Sequence, residues 1–254
     1  METGMAGNDA GRFEGRVAVV TGASSGLGQA VARSLRAGGA RVFGAGRDEA
    51  KLRATLDGPE TGWLAADLTD PAACTEVVRA CADRFGGIDI LVNAAGAHTM
   101  RHTGEVTDDQ WQHDLAVNLS APFFLSRAAL PHLLDRNGCI VNVASIAGLE
   151  GQAYSAGYCA AKHGLIGLTR AMALEFDGRP IRINAVCPGG MTTPMLEHFT
   201  FPENPDYTLI LKTAAARGLM DPAQVANVIT FLCSAEAAMV HGAVYTVDNG
   251  KMAL

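Results

Sequence analysis

Short apolar runs alternate with amphipathic stretches along almost the whole chain. Seven runs rich in apolar and β-branched residues are predicted strands, at positions 17–21, 40–45, 62–65, 88–93, 139–144, 181–186 and 243–247. Six stretches repeat their apolar residues at helical spacing, at positions 27–37, 49–56, 71–85, 108–134, 156–176 and 222–234. The predicted strands are continuously apolar, which is typical of strands covered on both faces. The pattern therefore predicts an α/β fold, a doubly wound parallel sheet of about seven strands with helices on both faces.

The alternation continues without a linker or a break in composition, which predicts a single domain over residues 15–254. Residues 188–221 depart from the pattern, because they carry four prolines and only a weak helical repeat. A long excursion inside a compact α/β domain is usually functional, and we interpret this one as a lid over a substrate site. Residues 1–14 are polar and slightly acidic, and we expect a mobile tail there.

The charge balance narrows the classes of partner. Apolar residues make up 48% of the chain, charged residues make up 18%, and the net charge is −6. A nucleic-acid-binding protein needs a patch rich in Lys and Arg, and none is present. No apolar run reaches the ~18 residues of a membrane span. The first residues lack the basic and apolar segments of a signal peptide, so we expect a cytoplasmic protein without membrane or nucleic-acid partners.

The cysteines leave two alternatives. Their even number permits three disulfides, whereas their apolar surroundings and the absence of a C-x-x-C pair favour buried free thiols. We expect free thiols at all six positions, which are Cys74, Cys81, Cys139, Cys159, Cys187 and Cys233.

A glycine-rich turn joins the first predicted strand to the first predicted helix. Glycine accounts for 29 of 254 residues, about 11% against a usual ~7%. The turn reads TGASSGLG at residues 21–28, with a G-x-x-x-G-x-G spacing. Glycines let the backbone approach a pyrophosphate, and the helix N-terminus offers unpaired N–H groups to it. Alone, such a sequence is also compatible with a tight strand–helix turn, but its place at the first junction favours dinucleotide binding.

The end of the second predicted strand bears on the choice of dinucleotide. A carboxylate there binds the ribose 2′-hydroxyl of NAD, whereas an arginine favours the 2′-phosphate of NADP. Gly46 ends the strand and is followed by Arg47 and Asp48. We interpret Asp48 as the N-cap of the next helix, which favours NADP(H) over NAD(H). Asp48 as an NAD ligand, and Arg47 as a solvated surface charge, remain alternatives.

A tyrosine, a lysine and a serine form a candidate catalytic set. Tyr158 and Lys162 are four residues apart on one helix face, and Ser145 follows a predicted strand. Reduction of a ketone needs a proton donor, and a tyrosine working near pH 7 needs its pKa lowered by about three units, on the order of 4 kcal/mol. A lysine ammonium nearby shifts the pKa in that direction, and Ser145 is placed to donate a hydrogen bond to the carbonyl. Asn118 lies inside the longest helical stretch, where Pro122 indicates a kink.

These motifs together resemble the short-chain dehydrogenase/reductase family, in its single-domain branch. TGASSGLG is similar to the family's T-G-x-x-x-G-x-G turn, and residues 93–96 are similar to its N-A-A-G. Asn118, Ser145, Tyr158 and Lys162 match the order and spacing of its catalytic tetrad. The resemblance covers residues 15–250 and implies a Rossmann-like fold and a homotetramer, with a homodimer as the alternative.

The resemblance also implies roles for single residues. Tyr158 is the general acid, Lys162 binds the nicotinamide ribose and lowers the tyrosine pKa, Ser145 orients the carbonyl, and Asn118 holds a water in a proton relay. The implied cofactor-binding residues are Gly22, Ser24, Ser25, Gly26, Leu27, Gly28, Arg47, Asp67, Leu68, Asn93, Ala94, Gly96, Tyr158, Lys162, Pro188, Gly189, Met191 and Thr193.

The sequence points to a substrate class but not to one compound. The apolar residues of the lid suit a ketone or secondary alcohol that is hydrophobic or bound to an acyl carrier, although they also suit packing or a subunit contact. The candidate substrate-binding residues are His98, Ser145, Leu149, Gln152, Tyr158, Met195 and Phe199. We expect no metal site. An oxidoreductase is the favoured function, with an epimerase or dehydratase and a non-enzymatic dinucleotide sensor as alternatives.

Overall fold

A computed structural model describes residues 11–197, 200–214 and 217–253. Its core is a parallel sheet in the order β3-β2-β1-β4-β5-β6-β7. The strands are β1 (Val17–Thr21), β2 (Arg41–Gly46), β3 (Thr61–Ala65), β4 (Ile90–Asn93), β5 (Gly138–Val143), β6 (Ile181–Pro188) and β7 (Val244–Val247). The order reverses between β1 and β4, so the sheet is doubly wound and Rossmann-like, as predicted.

Helices cover both faces of the sheet. They are α1 (Gly26–Ala37), α2 (Glu49–Thr55), α3 (Pro71–Phe85), α4 (Asp108–Leu115), α5 (Ala121–Asp135), α6 (Ala156–Glu175), α7 (Pro194–Glu197), α8 (Tyr207–Leu211) and α9 (Pro222–Cys233). One apolar layer lies between the sheet and helices α1 and α9, and the other lies between the sheet and helices α3, α5 and α6. The inner strands β1, β4 and β5 are buried along their whole length, which explains why their sequences do not alternate.

All seven strands lie where the sequence predicts them, to within two residues at each end. The predicted helix at 108–134 is different, because it is interrupted by a π-helical turn at Ala116–Ser120. Pro122 follows this turn and has no N–H group for the helical ladder. The amide of Ala121 donates to the carbonyl of Ala116, five residues back, so this turn holds one residue more than an α-helical turn. Asn118 lies in this turn.

The expectation of a mobile tail is wrong for residues 11–14. Phe13 is 3% exposed within the apolar layer next to α1, and its amide donates to the carbonyl of Gly38 at 2.7 Å. Burial of one aromatic side chain is enough to fix this stretch against the domain. Residues 1–10 lie outside the described part of the chain.

All six cysteines are free, and five of them are buried, which confirms the interpretation as free thiols. Within the described ranges, no helix combines the length and the apolar composition needed to cross a bilayer.

Candidate active site

A cleft of about 470 Å³ opens where the strands of the sheet end. Residues that follow β1, β2, β3, β4, β5 and β6 line it, together with the segment after β6. Carboxyl ends of parallel strands meet at one edge of a doubly wound sheet, and ligands of such folds bind in the crevice there. The fold therefore gathers residues that are more than 150 positions apart along the chain.

The glycine-rich turn is shaped for a bound diphosphate. Gly22 has φ +69°, and a Cβ on Gly28 would lie 2.4 Å from the carbonyl oxygen of Gly22. Only glycine allows this approach of α1 to the strand. The side chain of the N-cap, Ser25, forms no capping hydrogen bond, so the first N–H groups of α1 face the cleft edge. Thr21 braces the turn, because its Oγ1 accepts bonds from the amides of Ala94 and Ala95 at 3.0 Å each.

The two residues that follow β2, Arg47 and Asp48, differ in what their side chains contact. The side chain of Asp48 accepts a bond from the amide of Lys51 at 3.0 Å and begins α2, which confirms the predicted N-cap. Arg47 is exposed and lines the cleft. Asp67, after β3, also lines the cleft, and its hydrogen bonds from the amide and hydroxyl of Thr69 lower the pKa of its carboxyl group. The carboxyl group of Asp67 is therefore ionised at neutral pH.

Ser145, Tyr158 and Lys162 meet at the opposite end of the cleft. Ser145 follows β5 and accepts a bond from the amide of Ala147 at 3.1 Å, which fixes its side chain. Ser145 and Tyr158 line the same end of the cleft, and the side chain of Ser145 acts on the phenol to lower its pKa. Lys162 is 3% exposed, its Nζ lies 5.6 Å from the centre of the Tyr158 ring, and it donates to the carbonyl of Val143 at 2.8 Å.

The pKa of Tyr158 moves in the direction opposite to the sequence-based expectation. Burial raises it to about 12, and the hydrogen bond with Ser145 opposes this shift without cancelling it. Burial also lowers the pKa of Lys162 to about 8. The expectation counted the ammonium charge but omitted desolvation, which dominates here. Both groups are consequently protonated at pH 7.

Asn118 is fully buried beside the cleft and does not line it. Its Nδ2 donates to the carbonyls of Ala97 and Asp114 at 2.9 and 3.0 Å, and its Oδ1 accepts from the amide of Ala97 at 3.2 Å. These bonds tie the π-helical turn to the loop after β4. Asn118 thereby positions that loop.

His98, on the loop after β4, lies against Tyr158. The two rings are stacked, with centroids 4.1 Å apart and planes 15° from parallel. Nε2 of His98 lies 2.8 Å from Oγ of Ser155. Oγ of Ser155 also lies 3.2 Å from the carbonyl oxygen of Ala153, so Ser155 is held between the imidazole and the backbone. Burial, followed by the charges of Lys162 and Arg101, lowers the pKa of His98 to about 4, so the ring is neutral at pH 7.

Most of the predicted site residues line this cleft. They are Gly22, Ser24, Ser25, Gly26, Leu27, Gly28, Arg47, Asp67, Leu68, Ala94, Gly96, His98, Ser145, Gln152, Tyr158, Lys162, Pro188, Gly189, Met191, Thr193 and Met195.

Two predicted ligand contacts do not reach the cleft. Asn93 is 1% exposed and donates to Oδ1 of Asn142 at 2.8 Å, which holds β4 beside β5. Leu149 packs against a small apolar cluster that includes Leu165 and Ile166. The side chain of Asn93 is buried and that of Leu149 is partly buried, and neither lines the cleft, so their binding roles stay predictions. Phe199 lies outside the described residues.

Several lining residues have no signal in the sequence. Met100, His113 and Val117 reach the cleft from the loop after β4 and from the first part of the interrupted helix. Leu196, Phe201, Ile210 and Thr213 reach it from the segment after β6. Their positions depend on how that segment folds back over the sheet, which residue spacing does not encode. In the described part of the chain, no three potential metal ligands cluster together.

Comparison with known proteins agrees with this geometry. A family model described as enoyl-(acyl carrier protein) reductase matches residues 22–251. The chain is 39% identical over 245 residues to a meso-2,3-butanediol dehydrogenase from Serratia marcescens, covering 95% of this chain and 96% of that protein. It is 38% identical over 241 residues to a 3-oxoacyl-(acyl-carrier-protein) reductase from Vibrio cholerae, covering 94% and 98%.

A solved structure shows the same fold with a cofactor bound. It is a 3-ketoacyl-(acyl-carrier-protein) reductase from Brucella melitensis complexed with NADH, with a TM-score of 0.85 and 30% identity, covering 94% of this chain and 99% of that one. The chain therefore belongs to the short-chain dehydrogenase/reductase family and is an NAD(P)-dependent oxidoreductase.

Proposed function

We propose that this protein reduces a hydrophobic ketone to a secondary alcohol, with NADPH as the preferred cofactor and Tyr158 as the proton donor. The observation that carries this proposal is that Ser145 and Tyr158 line the same end of the cleft, with the ammonium group of Lys162 5.6 Å from the centre of the Tyr158 ring. Tyr158 keeps its proton at neutral pH, and the protonated phenol is the form that a reduction consumes.

The residues present fit a nicotinamide dinucleotide. The close approach of Gly28 to Gly22 leaves room for a diphosphate at the start of α1. Asp67 and Leu68 would hold the adenine, and Pro188, Gly189, Met191 and Thr193 would hold the nicotinamide end. The reduced cofactor, when bound, supplies the hydride.

Side chains of the protein supply the proton to the substrate oxygen and replace it afterwards. Ser145 donates a hydrogen bond to the substrate carbonyl, and Tyr158 gives its proton to the oxygen as negative charge develops there. The Lys162 ammonium, held on the carbonyl of Val143, stabilises the phenolate that remains and binds the nicotinamide ribose. The proton is then replaced from solvent through Lys162 and a water held at Asn118.

Arg47 supports the preference for NADPH. Its guanidinium group follows β2 at the cleft edge, whereas the neighbouring carboxylate of Asp48 is engaged at the start of α2. An exposed arginine is free to form charge-assisted bonds with a 2′-phosphate. No acidic side chain occupies position 46, which is a glycine.

The segment at residues 188–221 supports a hydrophobic substrate and a role as a lid. Met195, Leu196, Phe201 and Ile210 line the cleft opposite the catalytic residues. Three of them are between 42% and 48% exposed, which leaves apolar surface for a ligand to cover: Met195, Leu196 and Phe201. A ketone on an aromatic or acyl chain, including a chain bound to an acyl carrier, matches this surface.

The test is a panel of ketones and secondary alcohols followed by absorbance at 340 nm with NADPH and with NADH. We expect reduction of hydrophobic ketones with a preference for NADPH. Cofactor binding without turnover of any compound would instead indicate a sensor. Product formed without net consumption of cofactor would indicate an epimerase or a dehydratase.

We further propose a homotetramer that works in the cytoplasm, with a homodimer as the alternative. Exposed aromatic residues support a subunit contact, since Trp111 of α4 and Phe123 of α5 are 37% and 39% exposed. Six free cysteines fit a reducing compartment. Light scattering of the purified protein gives the number of subunits, and a monomer would contradict the proposal.

A further inference from the structure

Of the described residues, the two cationic side chains that line the cleft are either engaged with the backbone or distant from Tyr158. Lys162 and Arg47 are the lysine and arginine side chains that line the cleft within the described residues. Lys162 is 3% exposed, and its ammonium group is held by the carbonyl of Val143. Arg47 follows β2, which β1 and β4 separate from β5, a distance of roughly 14 Å across the sheet. Neither cation is placed to bind a substrate carboxylate beside Tyr158.

Arg101, on the same loop as His98, is paired with the carboxylate of Asp114. Its Nη1 lies 3.3 Å from Oδ2 of Asp114, a carboxylate that is only 6% exposed. A movement of Arg101 away from Asp114 would leave a buried carboxylate without its cation, which is unfavourable. Gly157 closes over the pair, because a Cβ at this position would lie 2.5 Å from the same carboxylate oxygen. The ion pair is therefore packed beside α6, and neither of its side chains lines the cleft.

His98 lines the cleft and is stacked on the ring of Tyr158. Its Nε2 is committed to Ser155, and its ring is stacked on the phenol. Burial and the charges of Lys162 and Arg101 keep the pKa of His98 near 4. At neutral pH it therefore provides a polar surface without a charge.

We propose that His98 is a specificity-determining residue that restricts this enzyme to ketones whose substituents near the reacting carbonyl are uncharged. β-Keto esters and thioesters are uncharged and fit this surface. The carboxylate of a β-keto acid would be desolvated there without a cation to pair with, which is unfavourable. The inference depends on the proposed ketone reductase function and narrows its substrate class.

The test compares matched substrates that differ in this charge. Wild-type enzyme is assayed at pH 7 with NADPH and with NADH on acetoacetate against methyl acetoacetate, and on benzoylacetate against ethyl benzoylacetate. We expect kcat/KM to be about 100-fold or more higher for each ester than for its acid. A ratio within about threefold for both pairs would overturn the inference while leaving the proposed function intact.

A charge introduced at His98 gives a second, independent readout. His98→Arg places a cation beside Tyr158, and we expect the ratio of acid to ester in kcat/KM to rise about tenfold. His102→Arg is the matched control, because His102 lies on the same loop but does not line the cleft and contacts the carbonyl of Glu203 at 2.7 Å. We expect this control to change the ratio by less than about twofold.

The outcomes separate the two proposals. An unchanged ratio in His98→Arg, measured on enzyme that still reduces the esters, would remove His98 from the specificity argument. A failure of wild-type enzyme to reduce either ester, together with no reduction in the wider ketone panel, would overturn the proposed function and with it this inference.

Discussion

The imidazole ring of His98 is stacked on the phenol ring of Tyr158, with 4.1 Å between their centroids. Ser155 holds the edge of the imidazole through a 2.8 Å hydrogen bond at Nε2. Residues that are more than 50 positions apart along the chain thus hold the ring of Tyr158 in one orientation. The same contacts bury His98 in its neutral form, which links the geometry of the site to the stability of the protein in acid.

Acid should destabilise the protein through His98. Burial lowers its pKa from 6.5 to about 4. Above pH 6.5 the imidazole is neutral in the folded and in the unfolded protein. Between pH 6.5 and 4 only the unfolded protein takes up a proton at this residue. The free energy of unfolding should fall across that window by up to about 3 kcal/mol from this residue. Urea unfolding at pH 7.5 and 4.5 should show a smaller fall for His98→Gln than for wild type; equal falls would contradict the assignment.

Removal of the Tyr158 hydroxyl should abolish most activity. Tyr158→Phe deletes the proton donor and retains the ring, so we expect kcat to fall by about 10²- to 10⁴-fold. Cofactor affinity, measured by titration calorimetry, should stay unchanged. Tyr154→Phe is the matched control, because the Tyr154 hydroxyl accepts from the amide of Asp206 rather than lining the cleft. Near-normal turnover by Tyr158→Phe would refute the mechanism.

The two reaction directions should differ in their dependence on pH. Burial raises the pKa of Tyr158 to about 12, so the phenol that reduction needs is fully present from pH 6 to 8. Reduction should be nearly constant over this range, whereas alcohol oxidation should rise by up to about tenfold per pH unit, as the phenolate fraction does. Initial rates in both directions across the range decide this. A decline of reduction centred near pH 7 would show that the tyrosine titrates there.

Arg47 should determine the cofactor preference. Arg47→Ala removes the proposed partner of the 2′-phosphate, so kcat/KM for NADPH should fall by about 10- to 100-fold while the value for NADH changes little. Arg53→Ala serves as the control, because Arg53 pairs with Glu49 on the exposed face of α2. Equal losses with both cofactors, or a wild-type enzyme that prefers NADH, would count against this role.

A methyl group at Gly28 should damage the phosphate turn. In Gly28→Ala the new Cβ would lie 2.4 Å from the carbonyl oxygen of Gly22 and 2.8 Å from that of Thr21. Overpacking against backbone should cost about 1–3 kcal/mol and sharply weaken cofactor binding. Gly167→Ala, on α6 with no atom within 4 Å of the new Cβ, should instead stabilise the protein by about 1 kcal/mol. Thermal unfolding and cofactor titration measure both variants.

The residue pattern along the chain is enough to predict all seven strands, most of the longer helices and most of the residues that line the cleft. Continuous apolar runs predict strands covered on both faces, because burial on two sides leaves no polar position in the repeat. Ser145 and Tyr158 are identifiable because strand ends and helix starts place side chains at one edge of a parallel sheet. Asp48 was recognisable as a cap from its place before a helix. These features are local or follow from the strand order.

What each side chain of the site faces, and what charge it carries, depends on how the chain packs. Leu149 packs against a small apolar cluster, and Phe13 packs against the domain rather than remaining mobile. The pKa of Tyr158 rises because desolvation, a sum over every element around the ring, outweighs the nearby ammonium that the sequence spacing made visible. The pairing of His98 with Ser155 depends in the same way on two loops that meet only after the sheet has formed. Burial and long-range contact are properties of the packed chain, and no spacing of residues encodes them.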